Sequence, residues 1–304
     1  MDISILILII TFLVLLLLNV PISISIGIAT LATMMVTIDP TPAMTTMAQR
    51  MAGGINSFAL LAIPFFVLSG ILMGQGGIAR RLIDFAKSIL GRLPGGLAFV
   101  NIIASTLFGA ISGSAIAATS AIGGFMIPAM KKEGYDPAFN AAVTVTASTT
   151  GLLIPPSNIL IIYSLASGGV SIASLFIAGY IPGMLVALSL MIVCAIYAKI
   201  RNYPVGEKAG LGEIVSAGFS ALPSLFLIVL VIGGILGGIF TATEAGVVAV
   251  LYSLLLSVGI YREVHVTQLP AILLKAAETT AVVMLLIATS SAMSWILSYT
   301  NIPQ

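Results

Sequence analysis

Charge is what this 304-residue chain lacks most: 7% of its residues are Asp, Glu, Lys or Arg, against 59% apolar, with a mean hydropathy of +1.20. Soluble domains carry roughly a quarter charged residues. The few charges are spaced so that apolar runs near the ~20 residues a bilayer-crossing helix needs follow one another along the chain. Lipid offers no hydrogen bonds, so each run must satisfy its own backbone, and the fold class is an all-α membrane protein. The opening run, MDISILILIITFLVLLLLN, has no basic leader and no small-residue cleavage site, and reads as a retained span. A net charge of +2 argues against a nucleic-acid binder. Cys194 is the one cysteine, which excludes an intrachain disulfide and reads as a small apolar side chain in a helix. No Ser-His-Asp set, metal-ligand cluster or GxxxxGKS loop occurs, so the sequence supports neither an enzyme nor ATP hydrolysis.

Lengths and breakers divide the chain. Residues 3–19 and 21–38 are expected as spans joined at Pro21, 40–55 as a short polar connection, and 57–75 as a third span, which makes 1–76 a scaffold-type unit. Residues 77–95 alternate Arg80, Arg81, Asp84, Lys87 and Arg92 with Ile78, Leu82, Phe85 and Ile89, the pattern of an amphipathic helix along a membrane surface or of an ordinary cytosolic helix. Residues 96–130 lie between basic patches and have a small, hydroxylated centre. They read as a re-entrant hairpin with its tip at Ser112-Gly113-Ser114, or as one long span with a small-residue packing face. Residues 138–170 hold an interrupted helix, and 171–212 a span at 173–198 with its linker. In 213–304, amphipathic pieces at 213–222 and 267–278 alternate with spans at 223–240, 242–260 and 279–298.

Charge orients this arrangement. With a periplasmic N-terminus and a re-entrant hairpin, Arg80, Arg81, Lys87, Arg92, Lys131, Lys132, Lys199, Arg201, Lys208, Arg262 and Lys275 all fall on the cytoplasmic side. Arg50 alone falls outside. Basic residues favour cytoplasmic loops, and a single span at 96–130 would scatter that bias. Glu244 sits at a joint between spans, either as a proton relay or as a carboxylate at a helix N-terminus. Trp295 and Tyr299 fit an interfacial aromatic belt.

The stretch STTGLLIPPSNILII, residues 148–162, interrupts an apolar run with two prolines. Pro155 and Pro156 supply no N–H and cannot continue a helix begun before them. One half-helix ends near Thr150-Gly151 with bare carbonyls, and the next begins near Ser157-Asn158 with bare N–H groups. The first end carries partial negative charge and the second partial positive charge, so the break can hold a cation and an anion. Oxygens of Thr149, Thr150, Ser112 and Ser114, with no carboxylate nearby, suit a hard monovalent cation. A proline kink satisfied by neighbouring helices is the plainer alternative.

An internal pattern repeats. LIVLVIGGILGGIFTATEAGVVAVLYSLLLSVG matches ILIITFLVLLLLNVPISISIGIATLATMM in its run, joint and glycine-bearing second run, pairing Gly27 with Gly246. AETTAVVMLLIATSSAMSWIL likewise parallels GINSFALLAIPFFVLSGILM. One copy starts outside and the other inside, which is the inverted repeat of secondary transporters. A copy of the hairpin would then fall beyond Gln304, so the expectation is a chain truncated before a second hairpin and unable to transport alone.

The segments AIPFFVLSGILM, ISGSAIAATSAIGGFMIPAM, GYDPAFNAAVTVTASTTGLLIPPSNILIIYS, SLFIAGYIPGML and TATEAGVVAV together resemble the large membrane (M, DctM-like) subunit of tripartite ATP-independent periplasmic (TRAP) transporters, over essentially the whole chain. The resemblance implies an elevator-type fold and sodium-coupled symport of an organic acid across the bacterial inner membrane, such as a C4-dicarboxylate, a keto acid or sialic acid. It implies a periplasmic binding protein that delivers the acid and a small four-span membrane subunit as partners. For this sequence it implies Na+ as coupling ion near Ser112, Gly113, Ser114, Thr149, Thr150, Gly151 and Pro155, and substrate near Ser114, Ser157 and Asn158. Asn158 stands where members commonly have a short apolar residue. Another ion-coupled anion transporter, a channel of similar architecture, or a non-transport membrane assembly subunit are the alternatives.

Overall fold

The computed structural model describes residues 3–206 and 209–301, so Lys208 and both chain ends lie outside the described residues. These residues form thirteen α-helices and no strand, apart from a lone bridge pairing Pro94 with Val205. Five helical stretches are long and apolar enough to cross a membrane: 58–75, 172–201, 211–236, 242–260 and 266–299. The chain divides into two compact units, Met1–Leu60 with Ala277–Gln304, and Leu61–Ala276.

The smaller unit contains α1 (Ile3–Leu17), α2 (Ile22–Thr37), α3 (Pro40–Ile55) and the latter part of α13 (Leu269–Tyr299). α2 packs on α1 and α3. Met34, Ala43, Met47, Ala292 and Ile296 form its buried centre. Gly27 of α2 lies so close to α13 that an added Cβ would stand 3.1 Å from Thr289 Cγ2. The Arg50 guanidinium sits 5.2 Å over the Trp295 ring, which stacks on Tyr299 at 5.1 Å.

The larger unit runs from α4 (Ala62–Gln75) through α5 (Ile78–Leu90), α6 (Gly96–Ser112), α7 (Ala115–Lys132), α8 (Pro137–Thr150), α9 (Asn158–Ala166), α10 (Ile172–Arg201), α11 (Leu211–Leu236) and α12 (Ala242–Leu254) to the start of α13. α4 packs along α12, where Ser69 and Ser253 hydroxyls meet at 2.9 Å and Ser257 Oγ donates to the Leu72 carbonyl at 3.1 Å. Gly246 of α12 faces α4, and a Cβ there would stand 2.9 Å from Phe65 Cβ. Gly27 thus meets α13, and Gly246, which the sequence pattern pairs with it, meets α4. On α10, Ile177, Ile181, Leu185, Leu188, Ile192 and Ile196 form an exposed stripe at helical spacing, as a lipid-facing helix requires.

Three sequence expectations change. Residues 40–55 are a helix, not a connection: Asp39 precedes Pro40 at the first helical position, and Ala43 and Met47 bury one face at i, i+4 spacing. Residues 213–222 do not form a separate piece but open the continuous 26-residue α11, with Pro223 inside it. The residues around that proline are held laterally, since Tyr252 Oη donates to the Pro223 carbonyl at 3.0 Å. Residues 267–278 likewise merge into the 31-residue α13, where Pro270 falls in the first turn and costs no helical bond. In α5, Ile78, Ala79, Leu82, Ile83 and Ala86 are buried where the helix packs on α6 and α11, while Ile89 is exposed.

Glu244 closes a capping box. Its carboxylate accepts from the Thr241 N–H at 2.8 Å, and Thr241 Oγ1 accepts from the Glu244 N–H at 3.3 Å. That is a carboxylate at a helix N-terminus, engaged in starting α12. Thr241→Ala should lower stability by about 1 kcal/mol, read as a reduced melting temperature in detergent, whereas Thr241→Ser should melt like the parent. Equal loss in both would show that the hydroxyl does not cap.

Candidate functional site

Helix α6 stops because Gly113 takes a left-handed conformation, φ 62° and ψ 15°, which a residue with a Cβ adopts only at a cost. Ser114 follows in extended geometry and caps α7, its Oγ accepting from the Ala117 N–H at 3.2 Å. Two helices that pack on each other thus turn at Gly113-Ser114, with Ser112 fully buried.

Helix α8 ends as its sequence demands. The Leu152 N–H bonds the Thr149 carbonyl and the Leu153 N–H bonds the Thr150 carbonyl, each at 3.1 Å. A continuing helix would give the Leu152 N–H to Ser148, so the Ser148 carbonyl is released at the break. The tightened turn also partly satisfies the last two carbonyls, which the sequence alone left bare. Pro155 and Pro156 follow, both buried and joined by a cis bond. Ser157 then precedes α9 in extended geometry without capping it, and the first bond of the new helix runs from the Ile161 N–H to the Ser157 carbonyl.

The hairpin turn and the break come together. A Cβ on Gly113 would stand 2.9 Å from Asn158 Nδ2 and 3.1 Å from its backbone nitrogen, so the turn lies directly on the start of α9. One turn earlier, Gly109 faces Gly151: a Cβ on Gly151 would stand 2.6 Å from Gly109 Cα, and one on Gly109 would stand 3.3 Å from the Ser148 carbonyl oxygen. Gly70 of α4 covers the other side, within 3.0 Å of the Ser112 carbonyl oxygen by the same measure. Behind the break, α10 brings Gly179 and Gly183 against the Leu153 carbonyl and the Ile154 side chain.

Of the nine residues singled out by sequence, Ser112, Gly113, Ser114, Gly151, Pro155, Ser157 and Asn158 belong to this junction, and all but the half-buried Ser114 are buried. Thr150 is buried with its hydroxyl donating to the Thr146 carbonyl at 3.1 Å, and Thr149 is exposed with its hydroxyl donating to the same carbonyl at 2.7 Å. Both hydroxyls therefore point lone pairs, not protons, outward. Ser157 Oγ and Asn158 Oδ1 are buried without a hydrogen-bond partner. Two orphaned acceptors beside a helix N-terminus are costly unless a ligand or water meets them. The donors offered are neutral oxygens, and no acidic residue belongs to the set, which fits a monovalent cation better than a divalent one.

Sequence reasoning missed the seam that carries this junction. Asn101, Ser105 and Gly109 on α6 and Asn140, Thr144 and Ser148 on α8 each recur at i, i+4 spacing, and the two rows meet at Asn101–Thr144 and Gly109–Ser148. Asn101 Nδ2 donates to Thr144 Oγ1 at 2.7 Å, and Ser105 Oγ donates to Asn101 Oδ1 at 3.1 Å. The repeated small-or-polar spacing was the available signal.

Apolar helices of spanning length, with a broken helix and a two-helix turn among them, are the architecture of a polytopic membrane protein. Its sequence matches the family described as Tripartite ATP-independent periplasmic transporter, DctM component, over residues 9–304, and the chain belongs to that family. It is 51% identical over 277 residues to the uncharacterized protein YgiK of Salmonella typhimurium, covering 91% of this chain and 63% of that one. It is 41% identical to the C4-dicarboxylate TRAP transporter large permease protein DctM of Pseudomonas aeruginosa (81% and 58% covered) and 41% identical to the sialic acid TRAP transporter large permease protein SiaM of Vibrio cholerae (84% and 60%). The chain thus spans about six-tenths of the length of these relatives. The family is a transport component and not an enzyme.

The close glycine contact makes a sharp test. Gly151→Ala keeps an ordinary helical φ of −60°, yet its Cβ meets backbone that cannot swing away. It should cost about 1–3 kcal/mol, lowering the melting temperature in detergent. Gly124→Ala, with nothing within 4 Å, should be neutral or stabilising by up to about 1 kcal/mol. If Gly151→Ala melts no earlier than Gly124→Ala, the two backbones do not touch.

Proposed function

We propose that this chain belongs to the translocating subunit of a sodium-coupled symporter. It moves an organic acid, of the C4-dicarboxylate, keto acid or sialic acid kind, across the bacterial inner membrane. A periplasmic binding protein delivers the acid, and a small four-span membrane subunit packs alongside. The observation that carries the reading is the seating of Gly113 on Asn158, which brings two helix ends of opposite polarity to one turn of backbone. Na+ is held there by oxygens of Ser112, Gly113, Ser114, Thr149, Thr150, Gly151 and Pro155. The acid's carboxylate lies toward Ser114, Ser157 and Asn158, at the positive end of α9, and the orphaned Ser157 hydroxyl serves it as a donor.

In this reading α6 and α7 form a re-entrant hairpin, and the moving body of an elevator carries hairpin and break together. Support comes from the glycine-on-glycine contacts, which make turn and break one packed piece. The packing of Gly27 on α13 and of Gly246 on α4 supports the inverted repeat. The distribution of Lys and Arg supports a periplasmic N-terminus.

Two measurements test this. In proteoliposomes holding the assembled transporter, Thr150→Val removes one buried hydroxyl at nearly constant shape. Loss of one ligand should raise the sodium concentration for half-maximal uptake about tenfold, roughly 1.4 kcal/mol. Replacing Pro155 and Pro156 with Ala should act at least as strongly, because a propagating helix would supply N–H groups to the oxygens now facing the ion. Wild-type sodium dependence in both, with normal insertion, would place the ion elsewhere. For orientation, single cysteines at Thr45 and Lys131, on a background with Cys194 replaced, should label from opposite sides of intact cells. Equal labelling would refute the topology.

A further inference from the structure

The start of α9 offers a bound acid several donors and, at one atom, an acceptor. The first bond of the helix runs from the Ile161 N–H, so the N–H groups of Asn158, Ile159 and Leu160 have no partner within α9. Together with the Ser157 hydroxyl they meet the acid's carboxylate in the reading proposed above. Asn158 Oδ1 is a different kind of group, an amide oxygen that can only accept. Its side chain is 7% exposed, and no donor among the described residues reaches it. A buried acceptor left unmet is destabilising. A cation or a neutral O–H or N–H group satisfies such an oxygen. The positive end of the α9 dipole disfavours the cation at this atom, and the carbonyl end of α8 attracts it instead. What remains is a neutral donor carried by the bound acid.

We propose that Asn158 is the specificity-determining residue of this site and that it selects a 2-hydroxy carboxylate. The inference rests on the proposed anion site at α9 and adds to it the class of acid. The carboxylate takes the Ser157 hydroxyl and the free N–H groups, and the hydroxyl on the adjacent carbon donates to Asn158 Oδ1. Ser157 and Asn158 are consecutive residues, which matches an acid whose acceptor and donor sit on neighbouring carbons. The carboxamide also packs directly on the hairpin turn, since a Cβ on Gly113 would stand 2.9 Å from Asn158 Nδ2 and 3.0 Å from its Cγ. A deoxy acid leaves Oδ1 unmet, and a 2-keto acid sets a second acceptor against it. A 2-amino acid brings an ammonium to the positive end of a helix. Sites built to bond a hydroxyl discriminate strongly against the analogue that lacks it.

The test measures binding to the assembled transporter, purified in detergent at saturating Na+, by thermal melting over a range of acid concentrations. Two skeletons are each varied at one carbon: malate, succinate and aspartate, and lactate, propionate and alanine, with both enantiomers of each chiral acid. In the skeleton that fits, one enantiomer of the hydroxy acid should reach its half-maximal effect at least about tenfold below the deoxy and amino acids, roughly 1.4 kcal/mol. Asn158→Leu keeps a side chain of similar size and removes the acceptor. It should bring the hydroxy and deoxy acids to within about twofold of each other. Ser157→Ala should instead weaken both alike, because both carry the carboxylate. Equal affinity of hydroxy and deoxy acids in the parent, a comparison that needs no variant to fold, would overturn the inference and leave the anion site standing. So would a preference that persists in Asn158→Leu. No shift of the melting temperature by any of these acids would remove the anion site itself, and the inference with it.

Discussion

An interrupted helix exposes backbone groups that water cannot reach, and in a membrane protein other protein must meet them. Here that duty falls on contacts made possible by missing side chains. Gly109 against Gly151, Gly113 against Asn158, and Gly179 against the Leu153 carbonyl bring α6 and α10 to the break at backbone distance. Any Cβ at these points would hold the helices apart and leave the freed carbonyls and N–H groups unmet. The polar seam of Asn101, Ser105 and Thr144 then fixes α6 on α8 in a single register, because sliding either helix would strand buried hydrogen-bonding groups.

How much of this was legible in sequence depended on whether the cause was local. Pro155 and Pro156 remove donors, and Ser157 prefers the start of a helix; those are properties of the residues themselves. The break therefore falls where the sequence puts it, with α8 ending at Thr150 and α9 beginning at Asn158. The turn at Gly113 was local in the same way. Helix α3 was not, since its Thr, Gln and Arg read as a polar joint and only the burial of Ala43 and Met47 gives it a face to pack. Proline misled in the other direction: Pro223 looked like a boundary, yet α11 runs through it from Leu211 to Leu236.

The site itself was half legible. Hydroxyls and glycines of the required types could be named, but not what each hydroxyl does. Thr149 and Thr150 are adjacent, and only packing decides that one is exposed and the other buried. Both donate to the Thr146 carbonyl, so each keeps its oxygen lone pairs for whatever approaches. Gly109 could not be matched to Gly151 from sequence, because forty-odd residues and a helix turn separate them and the match is made by tertiary packing alone.

The junction of turn and break follows the same scarcity of charge as the rest of the chain. At the junction of turn and break, every group is neutral, since an ionised side chain buried there would carry a desolvation penalty of several kcal/mol. Charge is supplied instead by the ends of helices, which deliver about half an elementary charge without placing an ionised side chain in a low dielectric. The scarcity of charge that marks the chain as a membrane protein thus holds at the junction as well, where helix ends stand in for ionised side chains.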